Sequence, residues 1–144
     1  MAAVRVDVLA RGLGVTRGSF YWHFADRDAL LRAALDQWER TVTAQVIERL
    51  ETVASPLARF EQLVRVAFGA EAIPGLQPAI MAHASHPAVE PVLRRVTARR
   101  IDFLAEIYSD LGLAPAAARR RAIICYAVID EALRILLDGV TGTR

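Results

Sequence analysis

The chain contains no lysine, and all 18 of its basic residues are arginine. A GC-rich coding sequence favours arginine codons and is sufficient to account for this bias. The consequence for binding is independent of the cause. Any anion-binding surface of this chain has to be built from guanidinium groups, which hold phosphate in a bidentate fork and stack on aromatic faces. The 16 acidic residues leave a net charge of only +2.

Cysteine is nearly absent as well, since Cys125 is the only one. A single cysteine excludes an internal disulfide and a metal site built from several thiolates. Cys125 lies in the apolar run Ala122–Ile129, where we expect it to be a small buried hydrophobic residue. This run is far shorter than the ~20 residues that span a bilayer, and residues 1–5 contain no apolar signal core. The sequence therefore predicts a cytoplasmic protein without a membrane segment.

The alternation of apolar and polar residues that is typical of strands is not found over any useful length. Apolar residues instead recur at the i, i+3, i+4, i+7 spacing of helices. Asp26 and Ser55 are predicted N-caps, and Gly112 is a predicted C-terminal stop. The predicted helices run from about 8 to 13, 16 to 24, 26 to 53, 56 to 68, 79 to 84, 87 to 111 and 115 to 138. The chain is therefore predicted to be all-α.

The first two predicted helices form a helix-turn-helix pattern. Ala10 is small enough to let the two helices approach, and Gly14 permits a left-handed turn between them. Val15 fills the corner, while Phe20 and Phe24 are one turn apart and can anchor the second helix to a core. The remaining side chains of this helix are hydrogen-bond donors and flat rings, which suit phosphates and base edges in the major groove of DNA.

This region resembles the DNA-binding region of the TetR family of transcriptional regulators. The resemblance covers residues 6–35 and is carried by Ala10, Gly14, Val15, Tyr21 and Phe24, with Arg27 where the family usually has lysine. It implies binding to double-stranded operator DNA. Thr16 and Tyr21 would hold phosphates and Arg27 a backbone phosphate, and the side chains near base edges would be Arg17, Ser19, Trp22 and His23.

Each of these residues also has a plainer interpretation. Thr16 can cap the second helix, which is compatible with a phosphate contact. Trp22 can serve packing, and His23 can be a solvated helix end. Arg27 can pair with neighbouring acids, an interaction of little energetic value at a surface.

The chain departs from the family pattern before the motif. TetR-like proteins carry a further helix there, which completes a three-helix core, and only residues 1–5 precede the motif here. The expectation at this point is a truncated chain, a start placed too late, or an incomplete core with an exposed apolar face on Val8, Leu9 and Phe20.

The C-terminal part is predicted to serve dimerisation. The run Ala122–Ile129 is apolar on all sides of its helix, which indicates burial on more than one face. The resemblance likewise implies a four-helix dimer interface made by the last two long helices, and a homodimer suits a palindromic operator. The predicted interface residues are Ile123, Ile124, Ala127 and Val128. A buried core helix in a monomer is the alternative.

We expect a DNA-binding region at 1–45 and a ligand-binding and dimerisation domain at 46–144.

The resemblance further implies a small-molecule effector bound between the long linking helix and the C-terminal helices. Its candidate lining residues are Trp38, Phe60, Phe68, Met81, His83, Phe103 and Tyr126. Because this set is mostly apolar, a hydrophobic or aromatic effector is expected, although each member can equally belong to the core. The arginine runs at 94–95, 99–100 and 119–121 are interpreted as a solvated face neutralised by nearby acids.

These patterns predict a ligand-responsive repressor without a cofactor or a metal. A first alternative is a truncated, dimerising paralogue that acts as an interaction protein without operator binding. A second is an enzyme or lipid carrier that uses the apolar pocket. The second is disfavoured because no nucleophile–base pair, glycine-rich phosphate loop or metal constellation is recognisable in the sequence.

Overall fold

The computed structural model describes residues 22–69 and 80–141 of the chain. All regular structure within these ranges is helical, which confirms the all-α prediction. The helices are α1 (Arg27–Glu39), a π-helical segment (Arg40–Ala44), α2 (Gln45–Glu51), α3 (Pro56–Phe68), α4 (Glu90–Asp110) and α5 (Pro115–Thr141).

Two of the predicted N-caps are present as hydrogen bonds. The Asp26 carboxylate accepts from the backbone N–H of Ala29 at 2.7 Å. The Ser55 hydroxyl accepts from the N–H of Ala58 at 3.3 Å, and Pro56 follows it in the first turn of α3. Each cap satisfies a backbone donor that has no partner inside its helix.

The predicted long helix from 26 to 53 is helical from Arg27 to Glu51, but it is not uniformly α-helical. At the π-helical segment the N–H of Gln45 bonds to the carbonyl of Arg40, five residues back instead of four. The predicted apolar stripe continued through Val42 and Val46, whereas the buried positions step by five residues from Trp38 to Thr43. The stripe did not reveal this turn because Thr43 is polar and did not count as part of it.

The segment before α4 differs from its prediction. Of the helix predicted around 79–84, the described part is helical only at Ile80 and Met81, and turns follow up to Val89. The imidazole Nδ1 of His86 accepts from the N–H of Ala88 at 3.2 Å. The backbone carbonyl of His86 accepts from the N–H of Glu90 at 3.0 Å. His86 thereby serves as a local cap, and α4 starts three residues later than Pro87.

The connection between α4 and α5 is a left-handed turn at Gly112, whose φ is +94°. The N–H of Gly112 bonds to the carbonyl of Ser109 at 2.9 Å, and the N–H of Leu113 bonds to that of Tyr108 at 3.1 Å. This pair of bonds is a Schellman motif, which only glycine enters without strain. The predicted stop at Gly112 is confirmed, and α5 continues beyond the predicted end at Asp138.

The chain divides into two compact units, residues 1–37 and 38–144, with the division inside α1. This division reflects which residues pack together. The predicted boundary between a DNA-binding region and a ligand-binding domain, between residues 45 and 46, stays a prediction. In the second unit, Ile47 and Leu50 of α2 pack with Phe103 and Ile107 of α4. Partly buried hydrophobic residues of α2 and α3 surround this cluster, namely Val46, Phe60 and Leu63.

Helix α5 packs along α4 through small side chains. Ala118 and Ala122 are completely buried, so the two helices can approach closely there. A separate polar contact joins α3 to the end of α4. The Arg59 guanidinium donates to the carbonyl of Val53 at 3.2 and 3.3 Å and to the carboxylate of Asp110 at 3.0 Å. It therefore connects the end of α4 to the start of α3.

The central cluster should dominate the stability of the second unit. Ile107→Ala removes a side chain that is 0% exposed, and we expect the free energy of unfolding to fall by about 2–5 kcal/mol, because a cavity remains. Leu57→Ala, at a side chain that is 57% exposed, should change it by less than about 0.5 kcal/mol. Urea denaturation followed by circular dichroism measures both. Equal effects of the two substitutions would contradict this placement of the core.

Candidate functional site

Most of the predicted DNA-binding side chains lie outside the described residues. This applies to Thr16, Arg17, Ser19 and Tyr21, and to the side chain of Arg27, although Arg27 opens α1. Trp22 and His23 are described and both are exposed, with 83% of Trp22 accessible. Their rings meet edge to face with centroids 4.8 Å apart. A large exposed aromatic ring beside an imidazole is available for contact with a partner, and the DNA role of these residues stays a prediction.

The predicted effector residues do not line one cavity. Trp38 and Phe103 are buried, with 4% and 3% of their surface exposed, whereas Phe68 and Met81 are exposed. Phe60, His83 and Tyr126 are half-buried. Of this set, Phe60 lies on the groove described next. The role of the set in effector binding stays a prediction.

The groove lies between α3, α4 and α5 and has a volume of about 670 Å³. The rings of Phe60 and Tyr108 pack at its side with centroids 5.9 Å apart. Burial, together with a hydrogen bond to Cys125, raises the pKa of Tyr108 to about 12. The other residues that line the groove are Val64, Ala117, Arg120, Arg121, Ile124, Cys125, Val128 and Ile129.

Cys125 corrects one expectation, because it is half-buried on this groove and not fully buried. The sequence alone could not identify the groove. Tyr108 and Val64 belong to apolar stripes that look like ordinary core, and the groove arises only from the relative placement of three helices.

One face of α5 is apolar and exposed within the chain. Ile124, Val128 and Ile135 are 64%, 63% and 59% exposed, and Ile123 is 47% exposed. Ala127 is exposed as well. The four predicted interface residues therefore share this surface, which we call the α5 stripe (Ile123, Ile124, Ala127, Val128 and Ile135). Ile135 was missed by the sequence reasoning because Asp130 and Glu131 interrupt the apolar run.

Arg100 was also missed, because it was grouped with Arg99 as a solvated charge run. Adjacent helical residues point about 100° apart, and only Arg99 of this pair is exposed. The Arg100 guanidinium donates to the Thr43 hydroxyl at 3.0 Å and to the Val42 carbonyl at 3.1 Å. Burial lowers its pKa, while a hydrogen bond with Tyr126 and the charge of Asp130 act in the opposite direction.

Three arginines of the other runs pair with nearby acids. Arg94 pairs with Glu90 one turn earlier on α4, and Arg119 pairs with Asp102. Arg95 forms a forked pair with Glu39, in which Nε donates at 3.0 and 3.1 Å. The charges of these three arginines are therefore balanced locally.

Within residues 22–69 and 80–141, no three histidine, cysteine or acidic side chains are grouped as metal ligands. No helix there is both long enough and apolar enough to cross a membrane.

Comparison with known proteins concerns the N-terminal segment. Residues 1–34 match the sequence model of a family described as bacterial regulatory proteins, tetR family. No curated protein and no solved structure matches the chain. The match covers the helix-turn-helix pattern and all seven predicted DNA-binding residues, from Thr16 to Arg27. Residues 1–34 are therefore similar to the bacterial regulatory proteins of the tetR family.

Proposed function

We propose that the chain is a cytoplasmic, homodimeric repressor that binds a palindromic operator and is released by a small, mostly apolar effector. The observation that carries this proposal is the family match over residues 1–34. The matched segment contains the helix-turn-helix pattern, with its turn glycine, an arginine and several polar and aromatic side chains. In the proposal, the N-terminal segment binds DNA and the C-terminal unit forms the dimer and takes up the effector.

In the proposed operator complex, phosphate contacts position the second helix of the motif and base contacts specify the sequence. Thr16, Tyr21 and Arg27 would contact phosphates. Arg17 would read a guanine edge, for which a guanidinium offers two parallel donors. Trp22 and His23 are exposed and therefore free of the chain's own core, which supports a place for them at the DNA surface.

The α5 stripe supports the proposed homodimer. Four β-branched apolar side chains and one alanine lie exposed on one helix, and an exposed group of apolar side chains of this kind indicates an interaction site. A two-fold interface uses the same patch on both subunits. A dimer of this type would present two recognition helices to half-sites about one helical turn of DNA apart.

The groove between α3, α4 and α5 supports the proposed effector site. Its volume of about 670 Å³ is typical of pockets that bind small molecules. Apolar and aromatic side chains line most of it, including Phe60, Val64 and Tyr108. An effector acts as a release signal only if it binds more tightly to the conformation that does not bind DNA.

Operator binding should depend on the predicted contacts. We expect Arg17→Ala with Tyr21→Ala to weaken specific DNA binding at least about tenfold, because a base contact and a phosphate contact are lost. Fluorescence anisotropy on duplex DNA flanking the chain's own gene, at near-physiological salt with competitor DNA, measures this change.

The matched control is Arg94→Ala, which removes an exposed, locally paired arginine of α4 and should leave the affinity within about twofold. If the folded wild-type chain shows no saturable, sequence-specific binding, the repressor proposal fails. The interaction-protein alternative then becomes the better account.

The α5 stripe should hold two subunits together. Ile124→Glu with Val128→Glu places two charges in the proposed interface, and we expect the protein to become monomeric, because buried unpaired charges are strongly unfavourable. Sedimentation velocity measures the mass, and circular dichroism verifies that the helices are retained. Leu57→Glu, on the exposed apolar side chain of α3, should stay dimeric. A monomeric wild-type chain, or a dimeric double variant, would contradict the proposed interface.

The groove should accept a small apolar molecule. Anilinonaphthalene sulfonate, an apolar fluorescent anion, serves as the probe, and Val64→Trp should weaken its binding at least about tenfold by filling the space. Gln62→Trp adds the same side chain at an exposed position of α3 and should leave binding unchanged. Equal probe affinity in the two variants would show that the groove is not the site.

A further inference from the structure

The π-helical segment Arg40–Ala44 interrupts an otherwise continuous helical stretch from Arg27 to Glu51. The flanking residues Glu39, Ala44 and Gln45 all have right-handed helical φ and ψ, so the chain does not break there. The segment adds one residue to a single turn, as the bond from Gln45 N–H to the Arg40 carbonyl shows. Such turns are rare in α-helices and concentrate at functional places.

A side chain from α4 enters this turn. Nη2 of Arg100 donates to the carbonyl of Val42 at 3.1 Å, and its Nε donates to the hydroxyl of Thr43 at 3.0 Å. Thr43 is 1% exposed and is the buried polar residue of the described core. A side chain inserted into the backbone ladder is a recognised cause of local helix distortion. The planar fork of arginine uses two separate nitrogens, Nε and Nη2, for these acceptors, whereas the donors of an ammonium group all sit on one nitrogen.

Two groups of α5, Tyr126 and Asp130, act electrostatically on Arg100. The Tyr126 hydroxyl lies 3.2 Å from the hydroxyl of Thr97, one turn before the arginine on α4. Polar groups of α5 therefore act on the arginine that contacts the backbone of the π-helical segment. The α5 stripe lies on the same helix as Tyr126.

We propose that Arg100 is a positioning residue that holds the long helix in its π register. Without this contact, the Val42 carbonyl loses the donor that Arg100 supplies. In a regular α-helix the same carbonyl would accept from the backbone N–H four residues later. Relaxation to α geometry in this turn rotates residues 27–39 by about 100° about the helix axis relative to α2 and shifts them by about 1.5 Å along it.

The register of this turn is therefore linked through Arg100 to α4, and α5 carries the polar groups that act on Arg100. The effect on the helix is independent of the proposed function, whereas its consequence for operator binding rests on that function. The experiment separates the two.

The register can be read directly by NMR. Through-hydrogen-bond couplings between backbone ¹⁵N and ¹³C′ nuclei identify which carbonyl accepts from the N–H of Gln45. The wild-type chain should show a coupling from Gln45 to Arg40. In Arg100→Met, which keeps an unbranched side chain but removes the donors, the coupling should move to Thr41. Arg99→Met, on the exposed neighbour, should keep the wild-type coupling.

Deletion of Thr41 supplies a second, independent variant. It removes the extra residue, so Arg40 becomes the fourth residue before the glutamine and the turn becomes an ordinary α turn without rotation of its two sides. The deletion variant should keep the bond to Arg40, and Arg100→Met added to it should cause no change. This arm also covers the case in which Arg100→Met alone fails to fold.

Operator affinity provides the second readout. Arg100→Met should weaken binding at least tenfold, Arg99→Met should stay within twofold, and the deletion should restore binding to the Arg100→Met variant. Retention of the Gln45–Arg40 coupling in Arg100→Met overturns the inference, as does a shifted register in Arg99→Met. If no variant, nor the wild type, binds an operator, the proposed function fails, and the couplings still decide whether Arg100 holds the register.

Discussion

Burial of α4 is the constraint on which the second unit depends. On one side its residues Phe103 and Ile107 pack with Ile47 and Leu50 of α2, and α3 covers the edge of this cluster. On another side α5 packs along it through completely buried alanines. With α5 packed on α4 in this way, the α5 stripe remains exposed within the chain, and the groove lies between α3, α4 and α5 with Ile124 and Val128 of the stripe in its lining. The proposed dimer surface and the proposed effector site both follow from this packing.

The sequence predicted the features that depend on short stretches of chain. Asp26, Ser55 and Gly112 mark helix ends through local backbone chemistry, so each could be identified from its own residue type and position. The apolar run of α5 indicated burial beyond the chain's own core. Features that depend on three-dimensional placement were not predictable. Arg100 is next to Arg99 in sequence but on another side of α4, and the π turn was hidden because the buried residue at its centre, Thr43, is polar.

The same physical distinction applies to the candidate sites. The candidate DNA-binding residues could be named from sequence because a helix-turn-helix depends on neighbouring residues, and the family match covers that segment. The effector residues were sought by composition, which cannot separate core from pocket: Phe60 lies on the groove, whereas Trp38 and Phe103 are buried in the interior. The stretch from Arg27 to Glu51 is helical throughout, and its π-helical turn is bound by a guanidinium from α4.

The central claim is that two copies of this chain read DNA together, and selection from a pool of random duplexes tests it most directly. The account predicts that the purified chain enriches palindromic sequences whose half-sites lie about 10 base pairs apart from centre to centre, because the two recognition helices are related by a two-fold axis. The absence of any enriched sequence, or enrichment of a single asymmetric half-site by a folded chain, would contradict it.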